Sequence, residues 1–176
     1  MKLFGILDLK TNETYVTCTP YSSTAEFKVN CIEDYIINKN KKTKRNKLVI
    51  FLDNGPENSG RRKLSLKNLV ELSKKYKIII HLVYYPPYHS KYNKIERFWA
   101  RLQMYCNDII MDGVEKPEKC LNTATWEDVK CKCSIYFDEY KKDIEVSYEE
   151  MEKADLHIIR EEGLEKWSIV ITLYAN

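Results

Sequence analysis

Short apolar runs alternate with segments of helical periodicity through the first half of the chain. Residues 3–9 and 14–19 flank the polar turn KTNE and predict a β-hairpin. The apolar runs at 47–52 and 78–84 are continuous, as in strands that are covered on both faces. Apolar residues at helical spacing predict helices at residues 24–38, 64–76 and from 93 onwards.

The order of these elements is strand, helix, strand, helix, which predicts the α/β fold class with parallel strands and right-handed crossovers. Later in the chain the periodicity weakens. There the pattern predicts helices within residues 126–142 and over 147–160, and a terminal strand at 167–173. We therefore expect a core over residues 1–107 and a C-terminal helical extension with a terminal strand, residues 108–176, packed on that core.

The composition suits one well-buried core, since the chain has 176 residues of which 44% are hydrophobic. The net charge is only +3, but residues 38–47 are basic without an acid, and residues 144–165 are dominated by acids. Each run is typical of a solvated surface and gives weak support for a nucleic-acid partner.

Six cysteines occur, but the N-terminal residues pass directly into a strand pattern and do not resemble a signal peptide. We therefore expect reduced thiols and a location in the cytoplasm, nucleoid or nucleus, without secretion. Cys131 and Cys133 lack zinc-ligand spacing, and no apolar run approaches the roughly 20 residues that span a bilayer. Neither a structural zinc nor membrane insertion is predicted.

Two carboxylates stand where ligand sites form in such a sheet. Asp53 ends an apolar run in the segment LDNGPEN, and Glu96 lies one turn inside the helix that follows the loop YPPYHSKYN. In open α/β sheets, ligands bind beyond the carboxyl ends of the strands. Carboxylate oxygens suit Mg²⁺ or Mn²⁺, and two such ions promote in-line phosphoryl displacement. Taken singly, Asp53 also fits an ordinary turn and Glu96 a helix-capping position.

Together the two segments carry a family resemblance. LDNGPEN, HLVYYPPYHSKYN and IERFW resemble the motifs of the DDE transposases of bacterial insertion sequences. In particular, the chain is similar to the Rhodopirellula-type DDE transposases, which are related to Tc1/mariner-like transposases and retroviral integrases. The resemblance spans nearly the whole chain and implies an RNase H-like mixed sheet flanked by helices.

The resemblance also implies a chemistry. Asp53 and Glu96 match two of the three carboxylates that hold two Mg²⁺ or Mn²⁺ ions in this family. The implied reaction is hydrolysis at transposon ends, followed by attack of the freed 3′-hydroxyl on target DNA. Asn93 is expected to cap the helix and orient its loop.

The first carboxylate of the family belongs to a central strand that precedes the hairpin, and this chain has no match to it. We therefore expect an N-terminally truncated catalytic core that is inactive alone. The missing strand would lie between the hairpin and the 47–52 strand. Without it, backbone N–H and C=O groups of the neighbouring strands remain unpaired, or the sheet is rearranged, or a partner supplies the strand. Asp8 is a candidate third carboxylate, although its place beside the hairpin turn fits an ordinary turn residue.

Basic and polar residues near the two motifs are the candidates for DNA binding, because such groups hold phosphates without reading sequence. They are Arg61, Arg62, Lys91, Asn93, Arg97 and Arg101. The expected partners are transposon-end and target DNA, with full-length transposase or a second copy as a protein partner. Alternatives are a non-catalytic DNA-binding or transposase-regulating remnant, and a structure-directed nuclease that hydrolyses DNA without joining ends.

Overall fold

The described strands form a three-stranded sheet, a four-stranded sheet and a two-stranded ribbon. The computed structural model describes residues 1–40, 45–53, 59–86, 89, 92–106, 121, 123–142 and 144–175. In chain order the elements are β1 Lys2–Leu7, β2 Thr14–Thr19, α1 Ala25–Asn40, β3 Lys47–Asp53, α2 Ser59–Tyr76, β4 Ile79–Tyr85, α3 Lys94–Cys106, β5 Thr125–Trp126, β6 Val129–Lys130, β7 Lys132–Ile135, α4 Tyr148–Asp155, β8 Ile158–Arg160 and β9 Ser168–Ile171.

The chain folds as two units, each made of two chain segments. The first contains Met1–Tyr35 and Lys94–Tyr140, and the second contains Ile36–Asn93 and Lys141–Asn176. The predicted division after residue 107 falls in a stretch outside the described residues.

The sheet of the first unit has the order β1-β2-β7. The predicted hairpin is confirmed, because β1 and β2 are antiparallel and Lys2 pairs with Thr19. β7 runs parallel to β2. Helix α3 contributes the buried side chains of Phe98 and Leu102 to the apolar cluster on this sheet. The helical periodicity of α3 thus marks the face that it buries.

Gly5 of β1 permits the close packing of α3 on this sheet. A Cβ atom at Gly5 would lie 2.5 Å from Cζ2 and 2.8 Å from Cη2 of Trp99. Non-bonded contacts of that length essentially never occur between carbon atoms, so only glycine fits without moving the indole ring.

The sheet of the second unit has the order β3-β4-β9-β8. The predicted parallel pair is confirmed, with register from Lys47 opposite Ile79 to Asp53 opposite Tyr85. β9 joins β4 antiparallel, in agreement with the predicted terminal strand. Helix α2 packs on β4 and β9. The α/β fold class is confirmed, because four helices and mixed sheets among the described residues are consistent with an RNase H-like fold.

The prediction of a helix within residues 126–142 is wrong, because β5, β6 and β7 occupy residues 125–135. Glu127 and Asp128 both have positive φ, 47° and 62°, and join β5 to β6 in a tight hairpin. Such turns usually contain Asn or Gly, so the sequence at Glu127 and Asp128 does not indicate a hairpin turn. The helix predicted over 147–160 is shorter, since α4 ends at Asp155 and β8 follows.

The prediction that the 47–52 strand is covered on both faces is also wrong. Its side chains alternate between half-buried and exposed, and Val49 and Phe51 are 42% and 43% exposed. Among the described residues, β1 pairs only with β2 and β3 only with β4, so the hairpin and β3 lie in different sheets.

No helix in the described ranges is both long and apolar enough to cross a membrane.

We predict that Gly5→Ala destabilises the chain by about 1–3 kcal/mol, since the new methyl group overpacks the Trp99 ring. The measurement is urea denaturation of wild type, Gly5→Ala, Trp99→Leu and the double variant. Because Trp99→Leu removes the clashing atoms, Gly5→Ala costs much less in that background. Additive effects of the two changes would contradict the packing account.

A second prediction concerns Glu150, which joins α4 to α2 in the second unit. Its carboxylate accepts a 2.7 Å bond from Lys67 Nζ and a 2.9 Å bond from the Ser147 backbone N–H. The Lys67 bond, followed by the Ser147 bonds, lowers the pKa of Glu150 from its usual 4.5 to about 2.

Because the folded-state pKa is lowered, the stabilisation is present above pH 4.5 and is lost as pH falls toward about 2. We expect Glu150→Gln to be less stable than wild type at pH 7, with the difference vanishing near pH 2. Thermal unfolding across pH measures this, and Glu149→Gln in the same helical turn is the control. A difference that persists unchanged at pH 2 would contradict the assignment.

Candidate functional site

Asp53 is the last residue of β3, and its side chain is exposed. In the parallel register it lies opposite Tyr85, the last residue of β4. The β-branched and aliphatic residues before it favour the strand, and the polar segment DNGPEN ends it. The carboxylate therefore stands at the carboxyl edge of a parallel strand pair, where ligands of α/β sheets bind.

Asn93 connects the two sequence motifs. Its Nδ2 donates a 3.2 Å hydrogen bond to Asp53 Oδ1. The Asn93 side chain is 9% exposed and stands directly before α3, at the helix-capping position. Among the described residues, no other hydrogen bond to the Asp53 carboxylate is found. The bond fixes one carboxylate oxygen by a buried donor and leaves the exposed side chain with capacity for a cation.

Tyr85 adds a ring beside this carboxylate. Burial, and then the negative charge of Asp53, raise the pKa of Tyr85 above its usual 10.0. Its ring stacks on Phe51 of the neighbouring strand, with centroids 6.0 Å apart. The phenol therefore stays neutral at physiological pH and cannot repel an anionic ligand.

Arg62 is held on the same unit by two contacts. Its guanidinium lies 4.6 Å from the centroid of the Tyr84 ring, and its Nη2 donates a 2.9 Å bond to the Lys166 carbonyl oxygen. Tyr84 in turn donates its backbone N–H to the Trp167 carbonyl oxygen, 2.8 Å away. This predicted DNA-binding residue is thus oriented by the chain just before β9.

Glu96 belongs to the other unit and lies exposed in the first turn of α3. Arg97 and Arg101 are also exposed on this helix, while Phe98 and Leu102 are buried. The guanidinium of Arg101 lies 5.7 Å from the Trp126 ring centroid. The helix therefore presents one carboxylate and two guanidinium groups to solvent.

Asp8 is occupied by its own turn. The residue is 6% exposed, its Oδ1 accepts from the Lys10 and Thr11 backbone N–H groups, and its Oδ2 accepts from the Tyr35 hydroxyl. This is the pattern of an Asx turn with one tertiary hydrogen bond. The carboxylate that was a candidate metal ligand serves here to close the hairpin loop.

Other predicted site residues are outside the described part of the chain. Residues 54–58 and Lys91 are not described, and neither is the side chain of Arg61. His89 and Tyr92 from the loop before α3 stack with centroids 5.8 Å apart, which supports a structural role for His89.

Sequence reasoning missed two features of this site. The Asn93 bond to Asp53 joins residues 40 apart, and the Arg62 contact with Lys166 joins residues 104 apart. At Asn93 the local sequence indicated only a helix-capping role. Nothing in the sequence indicated that the Lys166 carbonyl oxygen accepts a bond from Arg62.

No group of three or more His, Cys, Asp or Glu side chains suited to a metal occurs within the described ranges. Asp53 and Glu96 are nonetheless exposed carboxylates, the hard oxygen donors that Mg²⁺ and Mn²⁺ accept. The donor chemistry of the two residues fits a divalent cation.

The mixed α/β arrangement of the described residues is consistent with the RNase H-like fold of a DDE domain. The family model of the Rhodopirellula transposase DDE domain matches residues 1–172, so the chain belongs to this DDE transposase family. The family relates the chain to DNA cleavage and transfer in transposition, and its members generally use divalent metal ions. No curated protein and no solved structure matches the chain.

We predict that Asn93 and Asp53 are energetically coupled by about 1 kcal/mol, the size of a hydrogen bond to an exposed carboxylate. Urea denaturation of Asn93→Ala, Asp53→Ala and the double variant gives the coupling energy. The matched control is Asn30→Ala, which removes the 2.8 Å amide bond to the Tyr140 hydroxyl and should add independently to Asp53→Ala. Additivity of Asn93→Ala with Asp53→Ala would contradict the bond.

Proposed function

We propose that the chain is the catalytic-core portion of a DDE transposase, built for metal-dependent cleavage and transfer of DNA strands but inactive alone. The observation that carries this proposal is the hydrogen bond from Asn93 to Asp53, because it ties the two family motifs together at one sheet edge. The Asn93 amide is buried and needs an acceptor, and the acceptor that it finds is the carboxylate of the other motif.

Asp53 and Glu96 would hold Mg²⁺ or Mn²⁺. Two bound ions supply charge stabilisation for in-line displacement at phosphorus. The residues of the chain itself have simpler roles. Asn93 orients the Asp53 carboxylate, and Tyr85, kept neutral, borders the site without adding negative charge. Such supporting contacts fix metal ligands in place.

The proposed inactivity follows from the count of carboxylates. The family reaction needs three, and among the residues that the structure describes Asp53 and Glu96 match two of them. Asp8 is a poor third ligand, because both of its oxygens accept hydrogen bonds within the first unit. Moving it to a metal would break the turn and leave the Tyr35 hydroxyl without its acceptor.

DNA would contact the basic side chains near the two motifs. Arg62 is pre-oriented by Tyr84 and Lys166, and Arg97 and Arg101 are exposed on the helix of Glu96. Their guanidinium groups suit phosphate oxygens. Binding should depend strongly on salt and weakly on sequence, because phosphate contacts release counterions.

The experiment combines metal binding and strand cleavage. We expect wild type to bind Mn²⁺ and Asp53→Asn to bind it at least ten-fold more weakly, as measured by calorimetry. Asp138→Asn, which changes an exposed acid of the first unit, is the control and should bind as wild type does. Equal affinity of Asp53→Asn and wild type would contradict the metal site.

The same preparations are then incubated with Mn²⁺ and labelled DNA that flanks the coding region. We expect no nicking above background by the chain alone. Robust nicking that Asp8→Ala abolishes would show that Asp8 completes the site, and the proposed inactivity would be wrong.

A second candidate function is a non-catalytic DNA-binding remnant that regulates full-length transposase. The engagement of Asp8 in its turn favours it, since an incomplete site can still bind DNA. The discriminating result is salt-dependent DNA binding that survives both Asp53→Ala and Glu96→Ala. Two results together favour the metal-dependent core. These variants lose DNA binding, and Mn²⁺ strengthens DNA binding by wild type.

A further inference from the structure

Arg101 of α3 is a cation that its surroundings hold in place without balancing its charge. Its guanidinium carbon lies over the Trp126 ring, 5.7 Å from the centroid, which is within the range of a cation–π contact. Within the part of the chain that the structure describes, no carboxylate pairs with Arg101 and no oxygen accepts a hydrogen bond from it. In that part of the chain its N–H donors therefore stay open to an anion.

Lys132 of the same unit shows a contrasting arrangement. Its Nζ lies 4.7 Å from the centroid of the Tyr15 ring, but it also forms a 2.7 Å ion pair with Glu13 Oε1. The charge of Lys132 is thus balanced by a neighbour within the protein. Arg97, one turn before Arg101 on α3, contacts no ring among the described residues. Arg101 therefore combines two properties, a fixed position and an unbalanced charge.

The Trp126 ring is itself firmly placed. It is 8% exposed and belongs to the apolar cluster on the first sheet, where it meets the Phe98 ring edge-on with centroids 6.3 Å apart. Phe98 and Arg101 belong to the same helix. Trp126 ends β5 and pairs with Val129 of β6. The indole ring is thus fixed relative to the helix that carries Arg101.

The turn that follows Trp126 has an unfavourable backbone. Glu127 and Asp128 have φ angles of 47° and 62°, in the left-handed region that residues with a Cβ atom rarely adopt. Backbone of this kind persists where the surrounding contacts hold it, and it is frequent near functional sites. The contacts of Trp126 with α3 hold the β5–β6 hairpin in this way. The hairpin thus keeps one aromatic ring on α3 despite a strained turn.

A restrained guanidinium binds a phosphate better than a mobile one. A free arginine side chain loses rotamer freedom when it binds, and a side chain that is already restrained loses less. The guanidinium group is planar, so it can contact a ring with its face while its N–H groups bind phosphate oxygens in the plane. A tryptophan ring therefore strengthens a phosphate contact of the arginine above it without touching the phosphate.

We propose that Trp126 is a positioning residue, which orients Arg101 to bind a phosphate of the DNA backbone. The inference rests on the proposed function, since it takes DNA to be the ligand of α3. It deepens that function in two respects. It makes Arg101 a stronger phosphate contact than Arg97 on the same helix, and it gives the β5–β6 hairpin a role in DNA binding.

The first test is DNA affinity without divalent ions, measured by fluorescence anisotropy with a labelled duplex of mixed sequence over a range of KCl concentrations. Arg101→Gln should raise the dissociation constant about three- to ten-fold at low salt. It should also reduce the slope of log affinity against log salt concentration by about 0.9, the value for one phosphate contact.

The matched control is Lys132→Gln. It removes the same charge from another cation that lies on a ring, but one that Glu13 already balances. Its dissociation constant should stay within about two-fold of wild type, with an unchanged salt slope. The control thus separates a phosphate contact at Arg101 from the general effect of one lost positive charge.

The second test separates positioning from packing. Trp126→Leu should weaken DNA binding about two- to five-fold, the size of an exposed cation–π contact, and Trp126→Phe, which keeps an aromatic ring, should weaken it less. In the Arg101→Gln background Trp126→Leu should have no further effect, because no guanidinium remains to be oriented. In the Arg97→Gln background it should have its full effect.

Circular dichroism and thermal unfolding show whether each variant is folded. If Trp126→Leu does not fold, the smaller change Trp126→Phe is compared in the same two backgrounds. A merely structural role of Trp126 would weaken DNA binding equally in both.

Three results would overturn the inference. One is a wild type that binds DNA together with an Arg101→Gln variant of equal affinity and equal salt slope, which leaves the proposed function standing. Another is an equal effect of the Trp126 change in the Arg101→Gln and Arg97→Gln backgrounds, which would assign the ring to packing alone. The last is a wild type without salt-dependent DNA binding, which would overturn the proposed function as well.

Discussion

The parallel pairing of β3 with β4 is the interaction on which the candidate site depends. Seven residue pairs are in register, from Lys47 opposite Ile79 to Asp53 opposite Tyr85. The pairing brings the ends of two chain segments to one edge, and there Asn93 donates its hydrogen bond to Asp53. Both strands end at the same level, with Asp53 opposite Tyr85, and Asn93 bonds Asp53 at this edge. A change that slips this register would separate the motifs without touching either one.

Much of this arrangement could be predicted from local sequence. The hairpin, α2, the parallel pair and α3 have strong periodicity, and the apolar runs of β3 and β4 have the length of strands. The turn at Glu127 and Asp128 could not, because its positive φ angles occur without Asn or Gly. The pairing of β9 with β4 and the Arg62 contact depend on partners distant in sequence.

The exposed face of β3 could not be predicted from the sequence for a different reason. A run of apolar residues indicates a strand, but it does not determine how many faces of that strand are covered. Here the half-buried residues Leu48 and Ile50 pair with Ile80 and Leu82, which are fully buried. Val49 and Phe51 lie on the opposite face and remain open to solvent.

The central proposal is that Asp53 and Glu96 are ligands of the same divalent cations. The most direct measurement replaces Mg²⁺ with Fe²⁺ and uses ascorbate and peroxide to generate hydroxyl radicals at the bound ion, which cut the backbone nearby. If the two carboxylates share the ions, cuts are expected close to both Asp53 and Glu96, suppressed by excess Mg²⁺ and absent in Asp53→Asn. Cuts at only one of the two positions, or cuts that persist in Asp53→Asn, would contradict the claim.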